Sequence, residues 1–275
     1  MNTWFTEQQT ESVRLGLKIS SIVWQQRTPF QELVVAETDA FGRMLVLDGA
    51  VQTTVADEFV YHEMITHVPL FAHPHPRKVA VIGGGDGGAI REILKHPEVE
   101  EAHLVEIDGQ VIDAARRFFP TISRDLDDKR AFLHVTDGIE WVRQARGFDV
   151  MIVDSTDPVG PAEGLFAPPF YRSIAEALNP DGILVAQSES PFLNASVVRR
   201  VVSGVRASFP VTRLYLAAIP TYPSGLWSFT LGSKTALNAH GRHQQEVLTA
   251  PTRYWTPALQ ESCFALPRFV EELIG

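Results

Sequence analysis

From Lys78 to about residue 236 the chain alternates two hydrophobic patterns, and this alternation restricts the fold more than any other feature. Apolar runs of strand length, "KVAVIG", "AHLVEID", "AFLHVTD", "FDVMIVDS" and "GILVAQSES", are each followed by a stretch with helical spacing. Those stretches are "AIREILKH", "QVIDAARRFF", "IEWVRQA", "PPFYRSIAEAL" and "SVVRRVVSGVRASF". Continuous apolar strands joined through helices predict a mostly parallel sheet with helices on both faces. Two later runs, "TRLYLAAIP" and "LWSFTLGSK", have no clear helix between them, so the sheet is expected to end in an antiparallel pair. Residues after about 236 carry little pattern.

The first 56 residues read differently. "LKISSIVWQQ", "QELVVAET", "RMLVLDG" and "AVQTTV" are short β-type runs, punctuated by Thr28-Pro29, by Asp39 to Gly42 and by Asp48-Gly49. Such runs predict hairpins in a small antiparallel sheet. "ADEFVYHEMITHVPLFAH" then predicts a helix over 57–73, with Phe59, Val60, Met64 and Val68 on one side. "HPHPRK" closes it as a linker; its histidines, with His67, have only loose metal spacing.

In sheets of this kind a ligand binds beyond the carboxyl ends of the strands. The acids fall there: Asp86 after the first parallel strand, Glu106 and Asp108 after the second, Asp137 after the third, Asp154 and Asp157 after the fourth. All are expected on one rim. Gly83, Gly85 and Gly88 satisfy G-x-G-x-x-G, and Glu106 lies about 20 residues on, where an acid would hold ribose hydroxyls. That pattern serves dinucleotide oxidoreductases and sulfonium-nucleoside transferases alike. Asp86 separates them. A pyrophosphate beside it would meet repulsion of about 4 kcal/mol for unit charges about 4 Å apart at an effective dielectric of about 20. A methyl donor with an amino-acid tail brings a carboxylate and meets the same objection, whereas a donor tail ending only in an ammonium is attracted. The plain structural alternatives are a helix cap for Asp86, a turn or cap for Asp137 before Gly138, and an ordinary surface acid for Glu106.

The motifs "GGGDGG", "LVEID", "DSTDPVGPAEGLF", "AQSES" and "IPTYPSGLWSF", with the upstream "LDGAVQTT" and "DEFVYHEM", are together similar to those of the spermidine synthase family of polyamine aminopropyltransferases. The similarity runs from about residue 15 to the C-terminus. It implies an α/β fold: a small N-terminal antiparallel β-domain over 1–56, then a Rossmann-like, methyltransferase-type domain over 57–275 that includes the connecting helix. It implies transfer of an aminopropyl group from decarboxylated S-adenosylmethionine, a co-substrate, to putrescine, giving spermidine and 5′-methylthioadenosine. No further cofactor and no metal are implied. By position, Gln31, Glu106, Asp137, Gly138 and Pro161 surround the nucleoside, with Gln52 and the loop residues Gly83 and Gly85. The resemblance places His62, Asp86 and the segment Asp154, Ser155, Thr156 and Asp157 around the polyamine chain, with Tyr61 and Tyr222, and implies that Asp154 is the proton acceptor.

The chemistry suits these residue types. The donor is a sulfonium with an ammonium tail and the acceptor is a diammonium, so a cleft lined by carboxylates lowers their repulsion and steers both in. The attacking nitrogen must first lose a proton, and desolvation brings an acid near 4 and an amine near 10, in rough terms, closer together. Tyr61 and Asp157 are expected to hold the amine by hydrogen bonds and aim its lone pair. The plainer roles are a turn before Pro158 for Asp154 and Asp157, and packing for Tyr61, His62, Tyr222 and Trp227. Two other functions fit the glycine loop: a methyltransferase on the same scaffold, and a polyamine- or nucleoside-binding protein without turnover. Agmatine, cadaverine and spermidine are alternative acceptors.

The formal charge of −9 disfavours nucleic acid as a partner. A single cysteine, Cys263, allows no disulfide within the chain and reads as a buried apolar group in a reducing compartment. "MNTWFTEQQTESVRL" lacks the pattern of a secretion signal, and no apolar run nears the roughly 20 residues that span a bilayer. The expectation is a cytoplasmic enzyme, with the N-terminal strands offering edges for a homodimer or homotetramer.

Overall fold

The computed structural model describes residues 3–156, 160–242 and 248–275, and only the backbone of 160–162. The N-terminal sheet is antiparallel, in the order β1 (Thr3–Thr10), β2 (Val13–Arg27), β3 (Glu32–Thr38), β4 (Gly42–Leu47) and β5 (Ala50–Thr54). Its period-two pattern sorts side chains by face. Leu33 and Val35 oppose Leu47 and Leu45 in one core cluster, while Ala36 opposes Met44 in the other. The β4–β5 hairpin turns at Asp48 and Gly49, both at positive φ (46° and 86°), as an Asp-Gly pair favours. Strand β1 was not expected. "TWFTEQQT" has little alternation of its own, and β1 is held by pairing with β2 from Thr3↔Ile19 to Thr10↔Val13.

After α1 (Glu58–Ala72) comes the alternating part: β6 (Lys78–Gly83), α2 (Gly88–Leu94), β7 (Glu101–Glu106), α3 (Gly109–Phe118), β8 (Ala131–Val135), α4 (Gly138–Gln144), β9 (Phe148–Asp154), a 3-10 turn (Gly160–Phe166), α5 (Pro168–Ala177), β10 (Leu178–Gln187) and α6 (Ala195–Arg206). Then β11 (Val211–Ala218) and β12 (Leu226–Ser233) complete a seven-stranded sheet in the order β11-β12-β10-β9-β6-β7-β8. Strands β6 to β10 pair parallel with one another, and β12 is antiparallel to both β10 and β11. The missing helix between β11 and β12 thus has the consequence the sequence implied. Two apolar clusters cover the two faces, one containing α1 and α2, the other α4, α5 and α6. Two short helices, α7 (Pro257–Ser262) and α8 (Arg268–Ile274), lie in the C-terminal stretch that showed little pattern.

Helix α1 departs from the one-sided packing expected of it. Every residue but Phe59 is buried, including Glu58, His62, Glu63 and His67. Its polar side is sealed by α2 and by the C-terminal segment, where Glu63 accepts backbone N–H bonds from Arg253, Tyr254 and Trp255 at 2.7, 2.7 and 2.8 Å. Buried charges persist only when so paired. Helix α3 makes the other joint: Val111, Ala114 and Phe118 pack on Leu33, Val35, Leu45 and Leu47 of the N-terminal sheet, which brings that sheet beside the carboxyl end of β7.

Candidate active site

Connections leave β6 toward β7 on one side, while β9 lies on its other side. This reversal opens a crevice beyond the strand ends, between Gly83 and Asp154, the last paired residues of β6 and β9. Gly83 has φ +85°, and a Cβ there would collide with the main chain of Asp154. Only glycine lets the loop turn so close to β9. The crevice widens into a cavity of about 290 Å³, walled by the strand ends, α1, the Tyr222–Trp227 region and the N-terminal sheet. Six carboxylates line it, Glu7, Asp48, Asp86, Glu106, Asp137 and Asp154, with no lysine or arginine among the described lining residues.

At one part of the cavity the Tyr61 hydroxyl donates to Asp154 Oδ1 at 2.5 Å. Burial, and then the charge of Asp86, raise the Asp154 carboxyl to about 6, against the opposing pull of His62 and of the Tyr61 hydrogen bond. Burial and then the Asp154 charge push the Tyr61 phenol well above its ordinary value, so Tyr61 remains a donor. The Tyr222 hydroxyl donates to the Gln52 carbonyl at 2.7 Å, and its ring lies 5.5 Å from Tyr61 and 4.8 Å from Trp227. Ser155 and Thr156 follow Asp154 on the wall. Ser155 Oγ and Trp227 Nε1 are buried and form no hydrogen bond among the described residues. Gln187 donates to the Ser155 carbonyl at 3.1 Å and fixes the chain after Asp154.

Asp86 has two roles. Its Oδ1 accepts from Gly88 N at 2.9 Å, the helix-end contact set out as an alternative. Its Oδ2 lies 3.2 Å from His62 Nε2. The other ring nitrogen, Nδ1, lies 2.6 Å from Glu58 Oε2. Both nitrogens of His62 therefore face carboxylates, and the ring packs against Gly88. Burial alone would lower the imidazole, but Asp86 and then Glu58 outweigh it and hold it well above its ordinary value. Arg91 grips Glu58 through two hydrogen bonds of 2.9 and 2.8 Å and reaches Glu92 at 2.8 Å. Glu92 in turn meets His67 at 3.0 Å and Lys95 at 2.6 Å. His62 thus joins Asp86 to a buried chain of charged groups, with both nitrogens already committed. His67 belongs to that chain and His73 caps α1, so they do not converge on a metal position.

Elsewhere in the cavity stand Gln31, Gln52, Gly83, Gly85, Glu106, Asp137 and Gly138. Burial raises the Glu106 carboxyl to about 7, although it accepts backbone hydrogen bonds from Asp108, Gly85 and Ile107. Asp137 caps α4 through Ile139 N at 2.7 Å and is exposed to the cavity. Asp108 corrects the expectation that every strand-end acid meets on the rim. It is buried, caps α3 through Gln110 N and accepts from Thr28 and Gln31, so it does not line the cavity. Asp157 and the Pro161 side chain lie outside the described residues. The sequence reading missed Glu7 and Gln187. Glu7 sits on the unexpected β1, where it accepts from Val51 N at 2.9 Å, and Gln187 was visible only as a letter of "AQSES".

The arrangement offers hydrogen-bond acceptors for hydroxyls at Glu106 and Gln31, and negative charge for cations at Asp86 and Asp154. Residues 58–241 match the model of the spermine/spermidine synthase domain, and residues 3–55 match that of the spermidine synthase tetramerisation domain. The polyamine aminopropyltransferase of Caldicellulosiruptor bescii is 56% identical over 275 residues, covering 100% of this chain and 99% of the relative. That of Moorella thermoacetica is 51% identical, covering 98% and 96%. A solved spermidine synthase in complex with the transition-state analogue AdoDATO superposes with a TM-score of 0.95 at 39% identity, covering 99% of this chain and 95% of that one. The Thermotoga maritima spermidine synthase gives a TM-score of 0.94 at 38% identity, covering 100% and 95%. With the sheet order, the glycine loop and the anionic cavity, these likenesses make the chain a member of the spermine/spermidine synthase family, the polyamine aminopropyltransferases.

Proposed function

We propose that the protein transfers the aminopropyl group of decarboxylated S-adenosylmethionine to putrescine, giving spermidine and 5′-methylthioadenosine. The observation that carries this is the cavity wall of six carboxylates, with no lysine or arginine and His62 as the one imidazole among its described residues. Such a wall attracts a sulfonium, its ammonium tail and a diamine, and repels anionic ligands. In the reaction the amine nitrogen attacks the methylene beside sulfur. The C–N bond forms, the C–S pair returns to sulfur as a neutral thioether, and the proton of the attacking ammonium passes to Asp154. A carboxyl at about 6 is a better match to an amine than an ordinary aspartate. Tyr61 holds Asp154 in place, and Asp86 receives the aminopropyl ammonium. Glu7 supplies a carboxylate for a second ammonium, Glu106 and Gln31 accept from the ribose, and Gln52, Asp137, Gly138, Gly83 and Gly85 enclose the nucleoside. Tyr222, Ser155 and Thr156 complete the polyamine wall, and Asp157 and Pro161 retain the roles that their motif positions imply.

Purified protein incubated with the donor and with putrescine, cadaverine, agmatine or spermidine, followed by mass spectrometry, tests this. Spermidine and methylthioadenosine are expected, with putrescine preferred. No transfer to any amine across a range of pH overturns the reaction; preference for another amine overturns the acceptor.

We also propose a homodimer or homotetramer built through the N-terminal sheet, where Trp4 and Ile22 are 55% and 57% exposed. Light scattering that finds a monomer contradicts it. Among the described residues no helix is long and apolar enough to cross a membrane. Cys263 is buried, with its thiol pushed up to about 12 by burial, and we propose a cytoplasmic setting from the biosynthetic family to which the chain belongs.

A further inference from the structure

Asp108 makes more contacts than a helix cap requires. Oδ1 alone caps α3, accepting from Gln110 N at 3.1 Å. Oδ2 reaches into the turn between β2 and β3, accepting from Thr28 Oγ1 at 2.8 Å and from Gln31 Nε2 at 3.1 Å. The residue is 2% exposed. The turn is closed on itself: Thr28 N donates to the Gln31 carbonyl at 2.9 Å, and Thr28 Oγ1 accepts from Phe30 N and Gln31 N, each at 3.1 Å.

Hydrogen-bond polarity then fixes an orientation. An ionised carboxylate only accepts, so Gln31 must turn its NH₂ toward Asp108. The other end of the amide is an oxygen, and Gln31 Oε1 forms no hydrogen bond among the described residues, although Gln31 lines the cavity. The main chain of Asp108 performs a parallel service. Its N–H donates to Glu106 Oε1 at 2.9 Å, and Gly85 N and Ile107 N donate to the same carboxylate. One residue therefore sets two cavity acceptors, one from each domain.

We infer that Asp108 is a positioning residue for the sugar: through its side chain on Gln31 and its N–H on Glu106, it presents a pair of acceptors matched to a vicinal diol. The inference rests on the proposal that a nucleoside binds here. A sugar without the hydroxyls leaves both acceptors without partners, the situation in which a polar site discriminates most. If Asp108 only capped α3, its loss would weaken all nucleosides alike.

Calorimetry with 5′-methylthioadenosine and its 2′,3′-dideoxy analogue separates these cases. The wild-type protein should prefer the diol at least about tenfold. Asparagine is as good a helix cap as aspartate, so Asp108→Asn keeps α3. Its NH₂ can face Gln31, which then flips and offers the cavity a donor. The preference for the diol should fall by about threefold or more, mostly through weaker binding of methylthioadenosine, while the part that Glu106 carries remains. In Gln31→Leu the preference falls likewise, and adding Asp108→Asn should remove no more of the part carried by Gln31. An Asp108→Asn variant that keeps the wild-type preference, or that weakens both ligands equally, overturns the inference. Wild-type protein that binds neither nucleoside overturns the proposed reaction itself.

Discussion

Tyr61 and Asp154 are 93 positions apart in sequence, yet the hydroxyl of the one donates to Oδ1 of the other at 2.5 Å. The bond ties α1, which leaves the N-terminal sheet, to the strand end where the crevice opens. It also lowers the Asp154 carboxyl against the stronger effects of burial and Asp86. Removing the hydroxyl in Tyr61→Phe should therefore move the acid limb of kcat/KM upward from about 6, with kcat lower by about tenfold or more. A pH–rate profile measures both. An unmoved limb would mean that Asp154 does not control it.

Asp154→Asn should cut turnover by about a hundredfold or more while leaving donor binding largely intact. Its effect on stability has the opposite sign. The carboxyl lies at about 6 in the folded chain against 3.8 ordinarily. The folded chain thus keeps a proton that the unfolded chain releases, so the contribution to stability is full below the unfolded value and lost as pH rises through about 6. At about pH 8 the variant should be more stable by about 1–3 kcal/mol in urea denaturation.

Arg91→Met leaves Glu58 and Glu92 buried without their shared cation and should cost about 3–5 kcal/mol. In the native chain His62 and then Arg91 outweigh burial and hold the Glu58 carboxyl at about 2. Stability from that group is present above its ordinary 4.5 and is lost as pH falls through about 2. The deficit of the variant should therefore be larger at about pH 7 than at about pH 3, which denaturation at the two values checks.

In the proposed role Glu106, raised to about 7 by burial in the unliganded chain, accepts from ribose hydroxyls as the carboxylate. Nucleoside binding should therefore release a proton when pH lies near or below about 7, and affinity should fall as pH drops further. Calorimetry in buffers of different ionisation enthalpy reads the proton directly. Proton uptake would contradict this use of Glu106.

The parallel sheet, its antiparallel end and the strand-end acids were legible because they depend on local pattern: apolar runs, glycine spacing, the absence of a helix. Strand β1 was not, since its pairing comes from β2 rather than from its own alternation, and Glu7 was lost with it. The all-round burial of α1 was hidden for the same reason: its charged face is sealed by residues about 190 positions away. Asp108 and Asp86 mark the limit of reading acids by position. Both follow strands, yet one is withdrawn into the joint between α3 and the N-terminal sheet, while the other accepts from the first N–H of α2 and faces the cavity.

In the proposed reaction Asp86 distinguishes the donor by its missing carboxylate. Calorimetry of decarboxylated and intact S-adenosylmethionine on wild-type and Asp86→Asn protein measures that discrimination. Wild-type protein should favour the decarboxylated form by at least about tenfold, and Asp86→Asn should lose most of that preference. Equal or tighter wild-type binding of the carboxylated form, or a preference untouched by Asp86→Asn, would contradict it.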